Sequence, residues 1–205
     1  MNMRPDPTFH ASPKLAMDAP AEDFAYTLLL CPDASKPDAL AVVDVKPGSP
    51  TFSRVVHTVP MPNTGDEFHH FGWNACSSAL SPLSGHAFLE RRYLVIPGLR
   101  SSRLHVVDVK EDPFNPKLVK VIEAEELHRK TGYSRPHTSH CGPEGLYFSA
   151  LGAPDGGGPG GVFLMDHETF EPKGQWEIDR GPQEFAYDVW WNIGYDTLLT
   201  SEWGL

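Results

Sequence analysis

The sequence predicts an all-β fold, specifically part of a β-propeller. One phrase recurs three times: an apolar strand ending at an Asp, a turn rich in Pro, Gly or Glu, and then a second strand. The first strands end at Asp44, Asp108 and Asp166, so the copies lie 64 and 58 residues apart. That is longer than the about 40–50 residues of a common blade and implies insertions in loops. Helix signals are almost absent. Strand–turn–strand repeats at this scale favour a propeller over a sandwich, whose similar short strands would carry no period.

Extending each copy outward gives the elements in order. The first blade shows three strands, 26–31, 40–45 and 52–59, after an extended N-terminal segment, 1–24. The second has 69–77 innermost, then 93–97, 103–109 and 117–123. Glu123 to Lys130 forms a short helix stopped by Gly132. The third blade runs 136–141, 146–151, 161–166 and 173–178, and a fourth begins with 185–191 and 197–203. The chain thus reads as a single domain, 1–205, of about three and a half blades. The missing inner strand of the first blade is what a ring closed by its own C-terminus would leave out. Truncation at the C-terminus is therefore expected, with exposed sheet edges as an aggregation liability. The run from Asp155 to Gly161 has no Lys-Ser/Thr and no helix behind it, so it reads as an inter-strand loop rather than a nucleotide cradle.

Composition excludes several classes. Lys+Arg 17 against Asp+Glu 27 gives a net charge of -10, which makes nucleic acid and anionic membrane poor partners. No apolar run long enough to cross a bilayer and no secretory h-region are present, so membrane insertion is not expected and the reading is cytoplasmic. Cys31, Cys76 and Cys141 are widely spaced and odd in number, which fits a reducing compartment.

Chemistry concentrates in two segments, His69-His70 and His137-Thr138-Ser139-His140-Cys141. Imidazoles and a thiol suit copper or zinc better than calcium or magnesium. Both segments fall on innermost strands of adjacent blades, which line one central channel. Neighbours on a strand face opposite ways, so His69 and His70 need a bulge or turn to act together, and His137 with His140 need a bend. The alternative is a histidine bonded to a backbone carbonyl with the other on the surface. Cys141 alternates with His140 and reads mainly as a small apolar residue, with a ligand or reactive thiol as the other option. Asp66 and Glu67 could orient a ligating imidazole or be solvated turn residues. Glu202 and Asp188 face the same choice, with Glu202 the better placed. The remaining histidines, His10, His57, His86, His105, His128 and His167, read as structural or surface residues.

These segments give the chain a resemblance to the selenium-binding protein / methanethiol oxidase family. The phrases are P-M-P-N (60–63), D-E-F-H-H-F-G-W-N-A-C-S-S (66–78), L-R-S-S-R-L-H-V-V-D (99–108), P-K-L-V-K-V-I-E (116–123), H-T-S-H-C (137–141), T-F-E-P-K-G-Q-W-E (169–177) and T-S-E-W (200–203). They span this chain but only the N-terminal two fifths or so of a full-length member. The resemblance implies a seven-bladed propeller and copper-dependent oxidation of methanethiol by O2 and water to formaldehyde, hydrogen sulfide and hydrogen peroxide. It implies His69, His70, His137 and His140 as copper ligands and catalytic residues, with a small thiol and O2 as partners and a place in sulfur metabolism. Ser53 stands where vertebrate members carry a cysteine implicated in selenium binding, and their N-terminal C-x-x-C is absent, so selenium binding through those thiols is not expected. The alternative function is a non-catalytic propeller that binds selenium, a soft metal or a protein partner. A calcium-dependent propeller hydrolase fits less, since calcium wants carboxylates and carbonyls.

Overall fold

The computed structural model describes residues 7–75 and 88–204. Its strands form antiparallel sheets arranged as consecutive blades. Blade one is β1 (Phe24–Leu29), β2 (Pro37–Asp44) and β3 (Val55–Thr64). Blade two is β4 (Gly72–Trp73), β5 (Tyr93–Pro97), β6 (Leu104–Asp108) and β7 (Lys117–Ile122). Blade three is β8 (Ser134–Cys141), β9 (Leu146–Gly152), β10 (Gly161–Met165) and β11 (Pro172–Gln175). The last sheet pairs β12 (Ala186–Asn192) with β13 (Thr197–Glu202). This is a partial β-propeller, as the repeated phrase implied.

Two elements depart from expectation. The N-terminal segment is not wholly extended: Ser12 caps a short helix, α1 (Pro13–Met17), by accepting the Leu15 N–H at 3.2 Å, with Pro13 pre-set for the first turn. The inner strand of blade two is only two residues long within the described chain, and His69 and His70 precede it. Residues 76–77 of the expected strand, with Cys76, and also His86, lie outside the described residues. The expected helix is α2 (Ala124–Thr131), closed by Gly132 at φ 70 with its N–H on His128 O at 2.8 Å.

Successive side chains of the middle strands are buried against opposite neighbouring blades. In β5, Leu94 and Ile96 face blade one beside Leu40, Met61 and Phe68, while Val95 faces blade three beside Phe148 and Phe163. In β9, Leu146, Phe148 and Ala150 face blade two, and Tyr147 faces β12 with Val189 and Trp191. Each such side chain, buried between two sheets, contributes about 1.5–3 kcal/mol. That is why the middle strands read as continuous apolar runs rather than alternating ones.

The recurring Asp has one job in every copy: its carboxylate organises the turn after the strand. Asp44 accepts the Lys46 N–H at 2.9 Å, Asp108 the Lys110 N–H at 3.0 Å, and Asp166 the Glu168 and Thr169 N–H groups at 3.0 Å. Each adds a second partner: the Ser49 and Thr51 hydroxyls on Asp44, the Arg92 guanidinium on Asp108, and Lys173 on Asp166.

Neighbouring blades are stapled by a second repeated contact, made at the start of β2 and just before β6 and β10. Asp38 accepts the Phe68 N–H at 3.1 Å, Ser102 Oγ accepts the Arg135 N–H at 2.9 Å, and the Gly160 N–H donates to Glu184 O at 2.6 Å. In each case the partner lies at the entrance to the next blade's inner strand.

The turn carboxylates set an acid limit on stability. Ser49 and Thr51 hydroxyls hold Asp44 below the usual carboxylate range. Desolvation raises Asp108 and Asp166, but hydrogen bonds and cationic neighbours outweigh it and both end lower. Depressed carboxylates bind fewer protons folded than unfolded, so their stabilisation is present above about pH 4 and lost as pH falls further. Urea denaturation should show this acid limb, and Asp108→Ala should cost about 1–3 kcal/mol at pH 7 by removing the acceptor of a guanidinium and a backbone N–H.

Candidate metal centre

The His69-His70 segment is held by its neighbours rather than by a strand ladder. Phe68 is buried against His105, with ring centroids 5.1 Å apart, and its N–H is fixed by Asp38. Glu67 sits at φ 59, a left-handed conformation that turns the chain. Its carbonyl accepts the Leu99 N–H at 3.1 Å, and the Asp66 carbonyl accepts the Arg100 N–H at 3.0 Å. Freed from strand alternation, both imidazoles face blade three. The turn removes the geometric objection that adjacent strand residues must diverge.

On β8, the bend is a bulge: Pro136 pairs with Ala150 but Ser139 with Phe148, so three steps on β8 match two on β9. Thr138 fills the gap by donating its N–H to Ser149 Oγ at 3.1 Å. Gly72 brings the two segments together. A Cβ there would collide with the Ser139 carbonyl and hydroxyl, so the inner strands approach at a distance only glycine permits.

Three imidazoles then meet. Ring centroids of His70 and His137 are 4.4 Å apart, those of His69 and His137 5.4 Å, and those of His69 and His70 6.4 Å. His137 is 1% exposed, and its Nδ1 lies 2.8 Å from Tyr187 O. The carbonyl can only accept, so the proton is on Nδ1 and Nε2 carries a lone pair. That lone pair faces His69 Nδ1 at 3.3 Å. Behind His69, Glu67 Oε1 is 3.3 Å from Nε2 and favours a proton there, while Glu67 Oε2 is fixed by Arg100 at 2.6 Å.

Burial is the main reason His137 is pushed down to about 4, with the neighbouring His70 and His69 lowering it further against the Tyr187 hydrogen bond. Burial also lowers His70. Both are therefore neutral near pH 7, the form that ligates metals.

The other predicted residues separate. His140 faces Asp188 and Trp190 and meets none of the three rings among the described residues. Asp66 does not reach an imidazole of the cluster: it is fully buried, 3.2 Å from Arg103 Nη1 and 3.6 Å from His105 Nε2. Cys141 packs against the apolar core between blades two and three. Glu202 accepts the Glu184 and Phe185 N–H groups at 3.1 and 3.0 Å, closing the last sheet, whereas Asp188 is the carboxylate beside His140. His105 is buried between Phe68 and Asp66.

Sequence reasoning missed Tyr187, Asp38, Ser149 and Gly72. Gly72 directly after F-H-H-F was the one signal available, since a glycine in a strand marks close approach of another backbone.

The donor set fits a borderline-to-soft ion. Nitrogens 3.3 Å apart subtend about 104–111° at an ion bonded to each at about 2.0–2.1 Å, near tetrahedral. Among the described residues no three His, Cys, Asp or Glu groups already close round one point, so the site is a preset pair with a third ring beside it. Gly72→Ala should cost about 1–3 kcal/mol through overpacking against Ser139, read by thermal unfolding.

Comparison with known proteins agrees with this architecture. A solved structure titled as a hypothetical selenium-binding protein from Sulfolobus tokodaii superposes with a TM-score of 0.89 at 55% identity, covering 97% of this chain and 44% of that one. A methanethiol oxidase of Bos taurus is 45% identical over 197 residues, and selenium-binding protein 2 of Arabidopsis thaliana 43% over 198, each across 95% of this chain. The chain spans about two fifths of those relatives, 41% and 40% respectively. No helix among the described residues is long and apolar enough to cross a membrane. The family model of the 56 kDa selenium-binding proteins matches residues 3–205, and the chain belongs to that family.

Proposed function

We propose that this chain supplies one side of a copper site in a methanethiol oxidase, with His69, His70 and His137 as its ligands here. The observation that carries the reading is the facing pair, His69 Nδ1 and His137 Nε2 at 3.3 Å, each with its opposite nitrogen engaged. The names of relatives such as the Bos taurus protein support a small thiol as substrate and O2 as oxidant. The proposed reaction consumes methanethiol, O2 and water and yields formaldehyde, hydrogen sulfide and hydrogen peroxide in the cytoplasm.

Bound copper would supply a soft partner for thiol sulfur and a redox couple to O2. The chain's own residues do the rest. Tyr187 O fixes the His137 tautomer and aims its lone pair. Glu67 sets His69 in the same way, and such supporting partners are worth about 10–100-fold in metal affinity. Phe68 and Phe71 anchor the segment in the core between blades one and two, so the imidazoles cannot swing away. Burial keeps the His137 and His70 rings unprotonated near pH 7, the form that can donate a lone pair.

The test is copper content by elemental analysis and hydrogen sulfide release from methanethiol in the full-length protein. His69→Ala and His137→Ala should each lose copper and turnover with the fold retained by circular dichroism. Glu67→Ala should keep the fold and weaken copper binding about 10–100-fold. A metal-free preparation with undiminished turnover would contradict the proposal.

A further inference from the structure

His105 is completely buried on β6, where its neighbours Leu104, Val106 and Val107 are apolar. Desolvation disfavours an imidazole at such a position relative to an aliphatic side chain, so its polar contacts carry weight. Those contacts fall on one turn. The ring meets Phe68 edge to face at 5.1 Å between centroids, and Nε2 lies 3.6 Å from Asp66 Oδ2. Asp66 and Phe68 flank Glu67, the left-handed residue whose carboxylate stands 3.3 Å from His69 Nε2.

The turn at Glu67 is held from two directions. Backbone holds it from the loop between β5 and β6, where the Leu99 and Arg100 N–H groups donate to the Glu67 and Asp66 carbonyls. Side chains hold it from the start of β6: Arg103 Nη1 is 3.2 Å from Asp66 Oδ1, and His105 Nε2 faces Oδ2, which has no hydrogen bond among the described residues. A carboxylate oxygen can only accept, so the facing ring carries its proton on Nε2. At 3.6 Å the contact is an electrostatic attraction rather than a formed hydrogen bond, but it sets a donor opposite a buried charge. A left-handed residue other than glycine persists only where its surroundings over-determine it, and His105 is part of those surroundings.

We infer that His105 is a positioning residue for the metal centre: by bracing Asp66 and Phe68 on either side of Glu67, it keeps the turn that presents His69, and the Glu67 carboxylate behind it, to His137. It acts through the turn and not on the ion. The inference rests on the copper-site reading for its consequence and on the geometry of the turn alone for its cause. Without the imidazole, Asp66 Oδ2 would be a buried carboxylate oxygen with no donor opposite it, and the turn would relax to find one. His69 and Glu67 would then lose their fixed aim, while His137, bonded to Tyr187 O, would keep its own.

The experiment compares wild type, His105→Phe, His105→Gln and Asp66→Asn in the full-length protein. Phenylalanine keeps a ring against Phe68 and removes the donor, whereas the glutamine amide returns an N–H to the place of Nε2. Asp66→Asn sets an amide N–H against one of the two donors that face the carboxylate. Hydrogen exchange read by mass spectrometry on the metal-free protein reports the turn itself, and copper titration with the electron paramagnetic resonance spectrum reports the site. His105→Phe should quicken exchange in peptides holding Leu99 and Arg100 but not in those of blade three, weaken copper binding about 10-fold and alter the spectrum. His105→Gln should bring all three back to near wild type. Asp66→Asn should loosen the same peptides, and it carries the test if His105→Phe does not fold. Exchange quickened evenly through all blades, with copper affinity and spectrum unchanged, would make His105 an ordinary core residue and overturn the inference. So would a glutamine variant no better than the phenylalanine one, or wild-type exchange and copper binding in Asp66→Asn. A wild type that binds no copper, with the local exchange as expected, overturns the copper reading while supporting the hold of His105 on the turn.

Discussion

Gly72 lies against Ser139 with no room for a single methyl group, and the histidine cluster depends on that contact. The inner strand of one blade and that of the next must come within side-chain reach before imidazoles from both can face each other. Large apolar side chains fill the space between blades further out, where Val95, Phe148 and Phe163 sit. At the inner strands the spacing narrows, and there the chain uses glycine on one side and serine on the other. The staples from Asp38, Ser102 and Gly160 then fix each inner strand lengthwise, so that His69 meets His137 rather than a neighbour one residue away.

The same construction explains why the segment around His69 is not a strand. A ladder would have sent His69 and His70 to opposite faces. Instead the backbone turns at Glu67, and its polar groups are satisfied by Leu99, Arg100 and Asp38. The cost of a left-handed Glu67 is of order 1–3 kcal/mol. Its carboxylate, bridging Arg100 and His69, helps offset that strain. Backbone strain and the orientation of an imidazole therefore meet in one residue.

Much of the fold was legible in the sequence because the repeated Asp is a local signal: an acceptor two residues before the N–H it binds. The helix was legible for a similar reason, with Gly132 supplying a positive φ at its end. Bringing the two histidine segments together followed from strand counting. What escaped was non-local or made by backbone. The Tyr187 carbonyl carries no sequence signature, and neither does the bulge between Pro136 and Ser139. Glu202 and Asp188 are both carboxylates near the last sheet. Only the packing of β12 against β8 decides that Asp188 faces His140 while Glu202 caps its own hairpin.

The central claim is that His69 and His137 share one ion. X-ray absorption at the copper edge of the copper-loaded full-length protein tests it most directly. The account predicts an imidazole-dominated shell at about 2.0 Å, as for zinc–imidazole bonds, that loses one imidazole on His137→Gln. A shell dominated by sulfur at about 2.3 Å, or one unaltered by that substitution, would contradict it.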